Sequence, residues 1–182
     1  MSDCARTAIA ARSAADELAM TLNEDFKGAM RHLASSVSII SSGQGERRRG
    51  LTATAVCSLS VSPPMLLICV NQFGEAHQAI IDSGAFCVNV LSAEDNELSD
   101  RFAGQTGCGG ESRFQSSIWS QLLTGSPALD CALVNIDCRL AQVINTATHS
   151  VFFGDVASVR VNKPGVPLIH FNRQYRSLSA QA

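Results

Sequence analysis

Residues 50–64 form a stretch of small and hydroxyl-bearing side chains that could bind a flat, polar ligand. Because side chains alternate between the two faces of a strand, the hydroxyl groups would share one face and leave an apolar face that suits a core. The hydroxyl face would carry Thr52, Thr54, Ser58 and Ser60, and the apolar face Leu51, Ala53, Ala55, Cys57 and Leu59. Hydroxyl groups can donate hydrogen bonds to phosphate or ring oxygens. The alternative is an ordinary solvent-exposed strand face, since threonine favours strands, and the pattern leaves both interpretations open.

Several other segments match reactive motifs only in part. Residues 104–110 are rich in glycine, but they have neither the Gly-x-Gly-x-x-Gly spacing of a dinucleotide-binding loop nor the lysine of a P-loop. We interpret them as a flexible loop that moves as substrate enters. No Ser-His-Asp order, paired-carboxylate motif or metal-ligand spacing occurs in the sequence, so no metal site is predicted.

Arg47, Arg48 and Arg49 form the only run of basic residues. Short charged runs in turns commonly serve solubility, which favours a solvated hairpin tip. Contact with the phosphate of a bound nucleotide is the alternative interpretation. Other arginines that could meet a phosphate are Arg101, Arg113, Arg173 and Arg176.

Composition excludes several classes of partner and location. The 182 residues carry a net charge of −2, so no broad basic surface is expected for nucleic acid or an anionic membrane. No apolar run approaches the ~20 residues that a membrane span needs. The seven cysteines lack zinc spacing, which is typical of free thiols in the cytoplasm. Because only 16% of the residues are charged, we expect a buried subunit interface.

The spacing of apolar residues predicts a mainly β domain with flanking helices. Residues 14–34 have apolar residues three and four apart, which predicts an amphipathic helix. Shorter helices are predicted over 76–82 and 92–102, and residues 103–130 are predicted to be irregular. Strands are predicted over 37–41, 51–60, 65–70, 86–91, 132–143, 151–161 and 168–171. Without regular alternation of strands and helices, this order favours an antiparallel barrel.

Five motifs occur in the order found in a known family. Residues 50–64 resemble the opening motif of the short-chain flavin reductases, which have an FMN-binding split β-barrel. The later motifs lie at 86–91, 101–104, 148–154 and 171–176. The resemblance spans residues 24–178 and leaves 1–23 as an N-terminal tail or helix. It implies an antiparallel, Greek-key-like split barrel that forms a homodimer.

The resemblance also implies which residues contact the flavin. Those that would line the ring and the ribityl chain are Thr52, Ala53, Thr54 and Ala55, with Ser58 and Ser60 nearer the phosphate. Along the edge of the isoalloxazine ring it places Cys87, Val88 and Asn89, and near the ligand Phe102, Ala103 and Gly104. In the last motif, Tyr175 and Arg176 are preferred for the flavin phosphate, although the sequence does not decide which arginine meets it.

His149 is the residue to which the resemblance assigns a catalytic role, beside the nicotinamide of NADH or NADPH. Hydride passes from nicotinamide C4 to flavin N5, and the two cofactors carry that chemistry themselves. The histidine would orient the carboxamide or stabilise the anionic reduced flavin as it develops. Taken alone, His149 also fits a hydrogen-bonded polar position where a strand begins.

The resemblance therefore implies an NAD(P)H:flavin oxidoreductase that supplies reduced flavin to a separate monooxygenase, and the cysteine pattern favours the cytoplasm. FMN is favoured over FAD because the family's barrel is of the FMN type, and NADH over NADPH because no clamp for a 2′-phosphate is evident. One alternative is a flavin-binding carrier or sensor without reductase turnover. Another is an oxidase of a phosphorylated cofactor such as pyridoxamine phosphate, although the expected site lacks a strong cluster of Arg and Lys.

Overall fold

A computed structural model describes residues 3–162 and 164–178, and the side chains from Glu17 onward. The α-helices in these residues are α1 (Asp3–Met30), α2 (Glu75–Ser83) and α3 (Asn96–Phe102), and short 3₁₀ helices cover Gly45–Arg47 and Gly110–Ser116. The strands are β1 (Ser35–Ser36), β2 (Ser38–Ser42), β3 (Arg49–Ala53), β4 (Val56–Val61), β5 (Pro64–Asn71), β6 (Ala85–Val90), β7 (Trp119–Gln121), β8 (Pro127–Leu129), β9 (Val134–Asn145), β10 (His149–Val161), β11 (Leu168–Phe171) and β12 (Gln174–Ser177). The chain is mainly β with flanking helices, as the sequence predicts.

The chain divides into two compact units, of which the smaller is built on α1. It comprises the residues up to Ala34 together with Phe171–Gln174. Within this unit the amide of Asn172 donates to the carbonyl of Arg31 at 2.9 Å. The helix predicted over 14–34 is confirmed in part, since α1 starts earlier and ends sooner, at Met30. The predicted domain boundary at residue 24 falls inside α1.

The larger unit contains a seven-stranded antiparallel sheet in the order β3-β2-β6-β9-β10-β5-β4. Laid flat, the six gaps between strands would separate β3 from β4 by about 29 Å. Only Thr54 and Ala55 stand between these two strands in the chain, and the three Cα steps involved span at most about 11 Å. The sheet must therefore curl until its outer strands meet. This geometry is the split barrel that the sequence predicts, with the split between β3 and β4.

The break between β3 and β4 shows that the single strand predicted over 51–60 was wrong. A bulge also interrupts the pairing of β4 with β5 between Ser58 and Ser60. Each interruption shifts the alternation of side chains between the two faces of a strand. Cys57 and Leu59, predicted to face the core, are exposed as a result. The hydroxyl groups of this segment consequently do not form one continuous face.

Two apolar clusters stabilise the larger unit. The first includes the fully buried side chains of Ile40, Ile68, Phe86, Val88 and Phe152. The second includes Val37, Ile39, Leu91, Phe102 and Phe114. Because Ile39 and Ile40 are neighbours on β2, their side chains point to opposite faces, so one cluster fills the barrel and the other lies outside it under α3. Residues 103–130, predicted to be irregular, contribute Phe114 and the paired strands β7 and β8 to the outer side.

Gly154→Ala should destabilise the larger unit, because Gly154 lies where β10 passes close to the barrel core. An added Cβ would stand 2.5 Å from Cζ of Phe86 and 2.9 Å from Cβ of Cys138. Overpacking of this kind costs about 1–3 kcal/mol in the free energy of unfolding, which urea denaturation would measure. Gly109→Ala is the matched control, since an added Cβ there meets no atom within 4 Å. A Gly154→Ala protein as stable as its parent would contradict this packing.

Candidate functional site

The split between β3 and β4 exposes part of the hydroxyl-rich segment. Thr54, Ala55 and Ser58 are exposed, and the hydroxyls of Thr54 and Ser58 have no hydrogen-bond partner in the described part of the chain. Ser60 is half-buried, and its Oγ accepts from the amide of Ser62 at 3.2 Å. β3 and β4 each pair with a single strand of the sheet, so their outer edges keep unpaired backbone N–H and C=O groups. A planar ligand with polar edges could bind along this opening.

Two further predicted contacts, Thr52 and Tyr175, meet at a buried serine on α3. Thr52 Oγ1 donates to the carbonyl of Ser99 at 2.6 Å. Tyr175 Oη lies 2.9 Å from both Ser99 Oγ and Asp100 Oδ1. Burial raises the pKa of Tyr175, and the Asp100 carboxylate raises it further, so the phenol stays protonated at neutral pH. These two hydroxyls therefore attach α3 to β3 and β12, and Ala53 beside Thr52 is buried.

The predicted contacts Cys87, Val88 and Asn89 lie in the middle of the barrel wall. β6 pairs with β2 on one side and with β9 on the other, and all three side chains are fully buried. Asn89 Nδ2 donates to the carbonyl of Ile39 at 2.9 Å, and Asn89 Oδ1 accepts from Asn135 Nδ2 at 2.8 Å. Burial raises the pKa of the Cys87 thiol, which therefore stays neutral. The structure does not bring these three side chains to the open split.

Phe102, Ala103 and Gly104 follow one another at the end of α3, and they differ in exposure. Phe102 is buried, with its ring edge-to-face against Phe114 at 5.0 Å. Ala103 and Gly104 are exposed, and Gly104 has a φ of +80°, a left-handed conformation that favours glycine. The ring of Phe102 also explains why position 50 is a glycine, because an added Cβ there would stand 2.7 Å from Phe102 Cε1. The first glycine of the hydroxyl-rich motif therefore allows α3 to pack on β3.

The basic run 47–49 is largely neutralised by carboxylates. Arg48 forms an ion pair with Glu111 and lowers the pKa of that carboxyl group. Arg49 lies 3.7 Å from a carboxylate oxygen of Glu75. Arg47 has no charged partner within the described residues, and with Arg49 it lines a cleft of about 590 Å³ beside α2. None of the predicted flavin contacts lines this cleft, so we do not assign it to a flavin.

The loop that we expected to move, residues 104–110, is attached to neighbouring elements at its C-terminal end. The amide of Gly110 donates to Glu75 Oε2 at 3.1 Å. Arg113 donates through Nε to the carbonyl of Cys108 at 3.0 Å and through Nη1 to the carbonyl of Gly50 at 3.1 Å. These bonds join the loop and the following 3₁₀ helix to α2 and β3.

His149 begins β10 and is exposed at the tip of the hairpin formed by β9 and β10. Its Nδ1 lies 2.9 Å from Thr148 Oγ1, and its Nε2 has no hydrogen-bond partner among the described residues. The carbonyl of His149 accepts from Gln72 Nε2 at 3.0 Å and from Thr146 Oγ1 at 2.6 Å. The backbone of His149 is therefore held in place while one ring nitrogen is open to a ligand.

Strand pairing brings His149 and the open split to the same end of the barrel. The amide of Cys69 donates to the carbonyl of Ala55, and Cys69 stands opposite Val151, two residues after His149. With strands about 4.8 Å apart and about 3.4 Å per residue along a strand, Ala55 and His149 are separated by roughly 12 Å. One planar ligand in the split, with a second ring stacked on it, can reach both positions.

Sequence reasoning missed the residues that connect the predicted site to the rest of the barrel. Ser99, Asp100 and Gln72 act through contacts between segments that are far apart in the chain, so no local pattern marks them. Arg176, preferred for the flavin phosphate, is exposed on β12.

Among the described residues, no group of three or more His, Cys, Asp or Glu side chains could hold a metal ion. The described helices include none that could traverse a lipid bilayer.

The antiparallel strands and the split between β3 and β4 define a split-barrel protein whose outer strands keep unpaired backbone groups. The profile of the Flavin reductase like domain matches residues 30–179 of this chain. The chain therefore belongs to the flavin reductase-like domain family. Residues before 30, which include most of α1, lie outside the matched region.

Relatives and solved structures agree with this assignment. The FMN reductase (NADH) RutF of Serratia proteamaculans is 39% identical over 158 residues, which cover 87% of this chain and 89% of that protein. The 4-hydroxyphenylacetate 3-monooxygenase reductase component of Pseudomonas aeruginosa is 40% identical over 153 residues, with 84% and 90% covered. The structure of flavin reductase PheA2 superposes with a TM-score of 0.78 at 27% identity, covering 86% of this chain and 98% of that one.

Proposed function

We propose that this protein is an NADH:FMN oxidoreductase that supplies reduced flavin to a separate monooxygenase. The observation that carries the proposal is the open split of a flavin reductase-like barrel with His149 at the same end. The reaction balances as NADH, FMN and a proton giving NAD⁺ and reduced FMN. The names of two relatives, an FMN reductase (NADH) and a monooxygenase reductase component, support the cofactors and the partner.

The residues at the open split have the chemistry that FMN requires, with Thr54 and Ala55 beside the ring and Ser58 nearer the phosphate. Thr54 and Ser58 offer hydroxyl groups without intrachain partners, and the small side chain of Ala55 lets a ring approach the backbone. The unpaired edges of β3 and β4 offer backbone donors and acceptors to the polar edge of the ring. When FMN is bound, it supplies the hydride-accepting N5 atom. The barrel binds the ring and orients it.

His149 would act on the nicotinamide side of the flavin. Its Nδ1 is already hydrogen-bonded to the Thr148 hydroxyl at 2.9 Å, so Nε2 is the ring nitrogen left for a ligand. An Nε2–H group would donate a hydrogen bond to the carboxamide of NADH or to the reduced flavin as negative charge develops.

The ion pairs of the basic run support NADH rather than NADPH as the hydride donor. A 2′-phosphate needs cationic side chains that are free to bind it. Two of the three arginines at 47–49 already face the carboxylates of Glu111 and Glu75.

The six cysteines whose state is described are free thiols, which supports the cytoplasm as the compartment in which the enzyme and its oxygenase work.

NADH oxidation by the purified protein, followed at 340 nm, should depend on added FMN. The absorbance should fall with NADH and FMN together and stay constant when flavin is omitted. NADPH should be oxidised more slowly than NADH, and FAD in place of FMN tests the choice of flavin. Flavin that binds without any turnover of NADH or NADPH would contradict the reductase and favour a carrier or sensor.

Thr54→Val should weaken FMN binding and leave the free energy of unfolding unchanged. Thr54 is exposed and has no hydrogen-bond partner among the described residues, so only a ligand loses a contact. Quenching of flavin fluorescence would measure an affinity lower by about fivefold, the value of one hydrogen bond. Thr52→Val is the matched control, because the Thr52 hydroxyl donates to the carbonyl of Ser99. Loss of that hydroxyl should lower the free energy of unfolding and leave FMN affinity unchanged. Unchanged FMN affinity in Thr54→Val would remove this position from the site.

The proposed enzyme is a homodimer. Large apolar side chains are exposed in both units of the chain, and soluble proteins rarely leave many such groups uncovered. They include Leu18, Leu22 and Phe26 on α1, and Val61, Val159 and Val161 on β4 and β10. Light scattering should therefore give twice the 19.3 kDa mass of one chain, and a monomeric mass at micromolar concentration would refute the dimer.

A further inference from the structure

Gln72, in the turn after β5, holds the hairpin that carries His149. Its side-chain Nε2 donates to the carbonyls of Thr146 and His149, each at 3.0 Å. Its backbone amide donates to the carbonyl of Thr148, also at 3.0 Å. A single residue from a separate segment thus binds three carbonyl groups at the tip of the hairpin.

Thr148 fixes the imidazole itself. The Thr148 hydroxyl lies 2.9 Å from Nδ1 of His149, the next residue in the chain. Such a contact restricts rotation of the ring about its side-chain bonds and leaves Nε2 as the ring nitrogen that can meet a ligand. Gln72 therefore holds the backbone of His149, and Thr148 holds its ring.

The strand pair next to the turn, Asn145 and Ser150, is held by a separate chain of hydrogen bonds. Ser150 Oγ donates to Asn145 Oδ1 at 2.8 Å. A hydroxyl group has one proton, so Ser150 must accept from His77 Nε2, which lies 2.8 Å away. The His77 ring packs edge-to-face on Phe152 at 5.1 Å. Because these contacts fix the ends of the two strands without Gln72, loss of the Gln72 side chain should loosen only the turn beyond them.

We propose that Gln72 and Thr148 are positioning residues that aim His149 at the nicotinamide. This inference rests on the proposed function, because it needs NADH to bind beside His149. A catalytic group contributes fully only when it is held in near-attack geometry, and small displacements are costly. An exposed histidine at a hairpin tip would otherwise sample several orientations.

Gln72→Ala should lower kcat/KM for NADH by about tenfold, because two orienting hydrogen bonds are lost. FMN affinity, measured by quenching of flavin fluorescence, should stay at the parent value. Gln142→Ala is the matched control, since Gln142 is exposed on β9 of the same hairpin and has no side-chain hydrogen bond among the described residues. It should behave as the parent does in both measurements.

A pair of substitutions at Thr148 tests the contact with the His149 ring while the hydrogen bonds of Gln72 to the hairpin stay intact. Thr148→Val keeps the shape of the side chain and removes the hydroxyl, so kcat/KM for NADH should fall by about fivefold. Thr148→Ser keeps the hydroxyl and should retain the parent value. Should Gln72→Ala fail to fold, this pair decides the proposal, because the Thr148 contact lies within the hairpin.

A double-mutant cycle separates the positioning role from the role of His149 itself. In a His149→Ala background, Gln72→Ala should cause no further loss, because nothing remains to be positioned. Losses that multiply in the double variant would overturn the inference. If His149→Ala alone has parent kinetics, the role given to His149 under the proposed function fails. If His149→Ala is impaired while Gln72→Ala and Thr148→Val match the parent, only the positioning inference fails.

Discussion

The architecture of the larger unit depends on one covalent constraint, the two-residue connection between β3 and β4. Those strands are the outer members of a seven-stranded sheet, and Thr54 and Ala55 are too short a link to join them across a flat sheet. The sheet has to close around Ile40, Phe86 and Phe152, and it closes incompletely. The same connection breaks the alternation of side chains. It therefore creates both the barrel and the opening through which a ligand can approach the strands.

Local patterns in the sequence predicted most of the elements but not the way in which consecutive elements separate. The helix over 76–82 and its stop at Gly84 are confirmed, because a left-handed glycine with a φ of 64° ends α2. Alternation of apolar and polar residues predicted the strand over 132–143, which corresponds to β9. The break after Ala53 has no such marker, since threonine and alanine are compatible with a continuing strand. Only the closure of the whole sheet requires it, and closure is a property of pairings between distant segments.

The candidate site was predicted in part, for a similar physical reason. A hydroxyl or amide in a motif looks the same in sequence whether its partner is a ligand or another part of the protein. Thr54 is open to solvent, whereas Thr52, two residues earlier, is bonded to the carbonyl of Ser99. Asn89 is committed to Ile39 and Asn135 inside the barrel wall. The resemblance names the segments, and within them the hydrogen bonds separate the side chains that are free from those that are already used.

The open edges of β3 and β4 have a consequence for how this protein behaves in a crowded solution. Exposed strand edges can recruit a strand from another chain, and natural proteins commonly protect them with charged residues. Arg49, at the start of β3, is the only charged residue on these two strands, so most of the split lacks that protection. Under the proposed function, the unpaired backbone groups that would bind flavin are equally available to a misdirected strand. The flavin-free molecule would then be the form most exposed to aggregation, and bound flavin would protect the chain as well as prepare it for catalysis.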